Sequence, residues 1–91
     1  MIIKVYTESS SLYTFQQEDD QVTFSLKDLD LLTGKVREGG ELKGIVTKVN
    51  QPLLVGGIVN IGTREYDLWG NLKKKEDFLR SARITRIEID E

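Results

Sequence analysis

The nine residues Leu53-Leu54-Val55-Gly56-Gly57-Ile58-Val59-Asn60-Ile61 carry no charge and form the most apolar run of the chain. Four of them are β-branched. A run of that length and character reads as a strand buried on both faces. Upstream lie Leu42 to Val49 and a turn at Asn50-Gln51-Pro52; downstream, Gly62-Thr63 reads as a second turn before Arg64 to Trp69, where charged and apolar residues alternate. Strand, turn, strand, turn, strand is a meander. An open edge beside so apolar a run would template aggregation, which favours closure of the sheet.

The remaining segments fit the same class. Ile2 to Thr7 and Leu12 to Gln16 have strand composition, and the small polar residues Glu8 to Ser11 break between them. Val22, Phe24 and Leu26 alternate onto one face, so Leu12–Gln16 and Val22–Leu26 form a hairpin around the charged tip Glu18-Asp19-Asp20. From Lys27 to Gly34 the period changes and predicts one helical turn, and Gly39-Gly40 reads as a flexible join. Residues 71–80 fit either a hairpin arm or a short helix capped by Asn71, although three lysines in its first turn would oppose the helix dipole. Ile87 and Ile89 alternate inward in a final strand. Ile84 falls out of phase with them, which predicts a bulge. The expected fold is therefore all-β: a single domain over residues 1–91, built as a six- or seven-stranded antiparallel barrel or sandwich with one or two short helical turns. It has the size of SH3-like and OB-like barrels but the residue signature of neither.

Composition excludes several chemistries. The chain has no cysteine and no histidine, so disulfides, thiolate metal sites and the commonest general base are absent. Ser9-Ser10-Ser11 has no adjacent base and reads as turn chemistry. The acids Asp28, Asp30 and Glu18-Asp19-Asp20 lack the order of a calcium loop, and Gly56, Gly57 and Gly62 match no nucleotide-binding spacing. No enzyme activity, cofactor or metal is expected. No stretch approaches the roughly 20 apolar residues of a membrane span. Met1 to Val5 does not read as a signal peptide. The expected location is cytoplasmic.

Charge is segregated along the sequence. Residues 1–32 carry two basic residues against six acidic ones, residues 33–86 carry eleven against six, and the last five residues add three acids. Cross-strand attraction between the two halves is the simpler outcome; a basic face is the sharper one. Tyr66 and Trp69 beside Lys73, Lys74 and Lys75, followed by Arg80, Arg83 and Arg86, supply stacking surfaces and phosphate-seeking cations in one stretch. The net charge of −2 weighs against nucleic acid. The sequence thus ranks first a non-catalytic module that binds a protein partner or itself as a homodimer, and second a single-stranded nucleic-acid binder working through those eight residues. Exposure of Tyr66 and Trp69 discriminates between them.

Overall fold

A computed structural model describes residues 1–29, 33, 35–67 and 69–90, with the side chains of 36–40 left aside. Its six strands are β1 (Ile2–Thr7), β2 (Ser11–Glu18), β3 (Gln21–Leu29), β4 (Val36–Val49), β5 (Ile58–Tyr66) and β6 (Leu72–Asp90). Each pairs antiparallel with the next, and β6 returns to β1, so the meander closes into a barrel.

Closure involves a strong stagger. Following paired residues around the wall from Ile3 leads through Phe15, Phe24, Gly44 and Glu65 to Lys74. Ile3's own partner on β6 is Ile89, fifteen residues further along that strand. Such an offset is the shear that tilts strands in a closed barrel. It also explains why β6 is 19 residues long. Leu72 to Arg83 closes onto β5, whereas Ile84 to Asp90 closes onto β1. At about 3.3 Å per residue a straight strand of that length would run about 60 Å. The longest dimension of the molecule is 33 Å, so β6 must coil around the barrel. Register shifts along the β5–β6 ladder and at Tyr6/Thr7 supply the bending. Where the ladder breaks beside Val59, Ser81 Oγ accepts its N–H at 2.7 Å.

The interior holds Val5, Tyr13, Phe15, Phe24, Val59, Ile61 and Ile84, with Ile3, Val22, Leu26, Leu42, Val46, Leu53, Leu79 and Ile87 packed against them. Full burial of each such side chain contributes about 1.5–3 kcal/mol. Gly44 is the tightest joint. A Cβ there would overlap the Arg64 carbonyl oxygen and lie 2.8 Å from Phe24 Cε1, so the Phe24 ring occupies the space a β4 side chain would need.

Several expectations change. The apolar run is not one strand buried on both faces. Leu53 to Gly57 belongs to the β4–β5 connection, where Leu54 and Val55 are exposed and Gly56 adopts φ +90°. Barrel strands have one inner and one outer face, and in β5 only Val59, Ile61, Thr63 and Glu65 look inward. Gly62-Thr63 is not a turn, because β5 runs through it to Tyr66. The backbone at Gly39-Gly40 lies within β4. Lys27 to Leu29 extends β3, and the rest of the expected helical turn, Thr33 apart, lies outside the described residues; among those described there is no helix. Residues 72–80 are strand. Ile89 sits exposed at the rim. The hairpin around Asp19-Asp20 and the irregularity near Ile84 are as expected. The serines form a turn network, Thr7 Oγ1–Ser9 Oγ at 3.1 Å and Ser9 Oγ–Ser11 Oγ at 3.3 Å.

Candidate functional site: the outer face of β4, β5 and β6

Alternation along β5 sends Asn60, Gly62, Arg64 and Tyr66 outward. Register places Lys43 opposite Tyr66, Ile45 opposite Arg64 and Lys48 opposite Gly62 on β4. On β6, Leu72 stands opposite Tyr66, Phe78 opposite Gly62 and Arg80 opposite Asn60. The outer wall thus carries aromatic groups and cations in adjacent rows.

Trp69 is held out from this wall by a tight turn. Asp67 Oδ1 accepts the backbone N–H groups of Trp69 at 2.9 Å and Asn71 at 2.8 Å, and Asp67 N–H donates to the Asn71 carbonyl at 2.9 Å. Gly70 closes the turn at φ +82°, which glycine adopts without steric cost. Hydrogen bonds from Asn71 foremost hold the Asp67 carboxyl below its usual pKa, so it stays ionised and keeps the turn locked. Trp69 is 83% exposed, and Tyr66 is half-buried beside it. A small groove between them is lined by Glu41, Lys43, Tyr66, Asp67, Trp69 and Lys73. It adjoins a larger one of ≈ 440 Å³ over the outer faces of β2 to β4, whose lining includes Thr14, Gln16, Thr23, Ser25 and Tyr66.

A further groove, of ≈ 260 Å³, lies beyond Arg64 and is lined by Lys48, Gly62, Arg64, Lys75, Asp77 and Phe78 among others. Phe78 is 67% exposed.

The sequence-derived set is therefore divided. Tyr66, Trp69 and Lys73 meet at one groove, and Lys75 belongs to the next. Lys74 turns to Asp77, with Nζ 3.4 Å from Oδ2. Arg80 and Arg83 continue along β6. Arg86 serves the closing seam, stacked 4.1 Å from the Tyr6 ring centre and 3.1 Å from Glu88. Sequence reasoning missed Lys43, Lys48, Arg64 and Phe78. Even spacing along β4 and β5 could have revealed Lys43 and Arg64; the bulges hid the other two.

All three ion pairs among the described residues lie within one strand: Lys43–Glu41, Lys74–Asp77 and Arg86–Glu88. None joins the acidic first third to the basic stretch, so charge segregation survives folding. Lys48, Arg64, Lys75, Arg80 and Arg83 form no ion pair among the described residues, and Lys73 feels only the more distant charges of Asp67 and Glu65.

On the inner face, Glu65 is 3% exposed and Thr63 fully buried, its hydroxyl without a partner among the described residues. Burial pushes the Glu65 carboxyl up, and its hydrogen bond with Asp77 adds to the rise. Asp77 moves down, chiefly through that same bond. Of the two carboxyls, Glu65 is therefore the one that holds a proton to the higher pH, and Asp77 the one that ionises first. A substrate would need access that Glu65 does not offer. Among the described residues no group of three or more carboxylates is gathered for a metal ion.

Comparisons with protein-family models, with curated proteins and with solved structures found no match to this chain.

Proposed function

We propose that this barrel is a non-catalytic binding domain whose outer β4–β5–β6 face takes a single-stranded nucleic acid. The observation that carries the reading is Trp69, held outward by a hydrogen-bonded turn and 83% exposed beside Lys43 and Lys73. A large aromatic ring kept in water by a built turn has no stabilising role in the barrel; as a stacking platform it fits any base. Lys43 and Lys73 flank it to meet phosphates. The reading requires an intracellular setting, and a cytoplasmic location is part of the proposal.

The chain contains a single tryptophan, so its fluorescence reports the site directly. Titration with oligothymidylate and oligouridylate is expected to quench it with micromolar affinity. If Lys43, Lys73 and three further cations contact phosphates, the logarithm of affinity should fall with that of salt at a slope of about −3.5, from about 0.7 per single-strand contact. Lys43→Ser with Lys73→Ser should flatten that slope by about 1.4. Absence of quenching up to 100 μM strand at 0.15 M salt would defeat the proposal.

A second reading rests on a different observation. The end of β4 and the β4–β5 connection expose Val49, Leu54 and Val55, each more than 60% accessible. An apolar tip of this kind suits a protein partner or a homodimer. Light scattering tests it: a monomeric mass at all concentrations removes the homodimer.

A further inference from the structure

We infer that Arg64, flanked by Lys48 and Lys75 above the bare strand position Gly62, forms a phosphate-binding site. Its assignment to the backbone of a nucleic-acid strand rests on the reading above; phosphate recognition itself does not. Three observations carry it.

First, Arg64 Nε is buried and has no hydrogen-bond partner among the described residues. A buried N–H without an acceptor loses its water and receives nothing in return, and the penalty is larger for a charged group. The guanidinium fork, which lines the groove, fits two phosphate oxygens in one plane, and a shift of the side chain towards such a ligand would give Nε the acceptor it lacks.

Second, Gly62 leaves the groove floor open. Its Cβ would lie 3.1 Å from Thr47 Oγ1 and 3.3 Å from Lys48 Cβ, so a side chain there would crowd Lys48 and fill the space beside Arg64. Glycine weakens a strand interior and is found where a ligand or another chain approaches closely.

Third, the surrounding charge favours an anion. Lys48, Arg64 and Lys75 face Glu76 and Asp77 around the groove. Asp77 is already engaged by Lys74 at 3.4 Å, by the Phe78 N–H at 2.9 Å and by Glu65. Among the described residues, that leaves three cations without an ion pair against one such acid.

The position also suits a strand. Arg64 lies two residues from Tyr66 along the outer face of β5, about 7 Å. Phe78, opposite Gly62, stands on the other side. Stacking groups thus flank a phosphate clamp.

The test follows the Arg64 side-chain Nε–H signal in nitrogen–proton correlation spectra of the full chain. The probes are inorganic phosphate, a fifteen-nucleotide oligothymidylate and an abasic oligonucleotide of equal length. Inorganic phosphate is expected to shift the Arg64 signal at millimolar concentration, and both strands at lower concentration. Arg64→Gln should lose phosphate binding and weaken both strands at least tenfold. Arg64→Lys should recover only part of that loss, because it restores charge without the fork. Glu76→Gln should tighten all three probes. Trp69→Ala should weaken oligothymidylate and leave inorganic phosphate unchanged. Should Arg64→Gln lower the melting temperature, Lys48→Ser with Lys75→Ser provides the same test from the groove's rim.

Phosphate binding without any strand binding would support the site for free phosphate and remove the nucleic-acid reading. Strand binding indifferent to Arg64, Lys48 and Lys75, with no shift in phosphate, would overturn the inference and leave the Trp69 reading intact.

Discussion

Gly44→Ala tests whether the barrel closes as described, and its effect can be worked out from the contacts. The added methyl would overlap the Arg64 carbonyl oxygen across the β4–β5 ladder and approach Phe24 Cε1 to 2.8 Å. The ring can rotate, but the carbonyl belongs to the neighbouring strand and moves only if β4 and β5 part. Overpacking a well-filled interior costs about 1–3 kcal/mol, and a backbone obstacle places this site at the upper end. Against that, alanine restricts the unfolded chain and returns about 0.4–1 kcal/mol. The net expectation is a loss of about 2 kcal/mol. In a domain of this size that lowers the melting temperature by about 8–16 °C. Urea unfolding followed by far-ultraviolet circular dichroism gives the free energy, and a thermal melt checks it. Phe24→Leu discriminates between the two obstacles. If the carbonyl dominates, Gly44→Ala and Phe24→Leu should add with coupling below about 0.5 kcal/mol. Recovery of stability in the double variant would show that the ring alone was the obstacle. A Gly44→Ala protein within 0.5 kcal/mol of the parent would refute the joint altogether.

Val59 is fully buried, so Val59→Asp places an unpaired carboxylate in an apolar interior and should leave no cooperative melt; a soluble, two-state variant would contradict its position. The Glu65–Asp77 pair should give stability a pH dependence of two signs. Asp77, lowered on folding, contributes above its unfolded pKa and loses that contribution as pH falls through the folded value. Glu65, raised on folding, contributes below its unfolded pKa and loses that contribution as pH rises through the folded value. Melting temperature measured from pH 3 to 8 should therefore reach its pair-dependent maximum near pH 4, and Glu65→Gln should remove the decline above it. Trp69→Ala should change stability by less than about 0.5 kcal/mol yet cost about 1–3 kcal/mol in strand affinity, read by titration against a labelled oligonucleotide.

The all-β class, the first hairpin and the irregularity at Ile84 could be read from alternation because those features are local. What the sequence hid was set by closure. Leu53 to Ile61 reads as one buried strand since apolar residues look alike in a wall and in an exposed connection. Only the pairing of Gly56 and Gly57 with Ile84 shows where the strand begins. The ambiguity of residues 71–80 has the same source. Their β-structure comes from pairing with β5, which lysine-rich composition does not signal. Phe78 was overlooked because bulges in β6 shift the face on which each residue emerges, so alternation counted from Ile87 does not carry back to it.

Charge, by contrast, carried over intact, and the reason lies in the topology. In a closed meander each strand touches only its sequence neighbours, apart from the single seam between β1 and β6. Residues adjacent in the chain therefore stay adjacent on the wall, and a stretch of net positive charge becomes a positive sector. A Greek-key order would have inserted acidic strands between basic ones. The acids of the β2–β3 turn, Glu18, Asp19 and Asp20, belong to the hairpin next to β4, where Thr23 stands opposite Ile45 and Ile45 opposite Arg64, so they border the basic sector on its β4 side. Screening over about 8 Å at physiological salt limits the reach of those acids, so the cations of β5 and β6 act locally despite a net charge of −2. At the seam, Glu88 meets Lys4 across the ladder and Arg86 alongside, which ends the basic sector where β6 passes from β5 to β1. The basic sector is thus the first half of β6 with β5 and the facing part of β4, the half that the long stagger sets against β5 rather than β1, and it is the surface proposed for a strand.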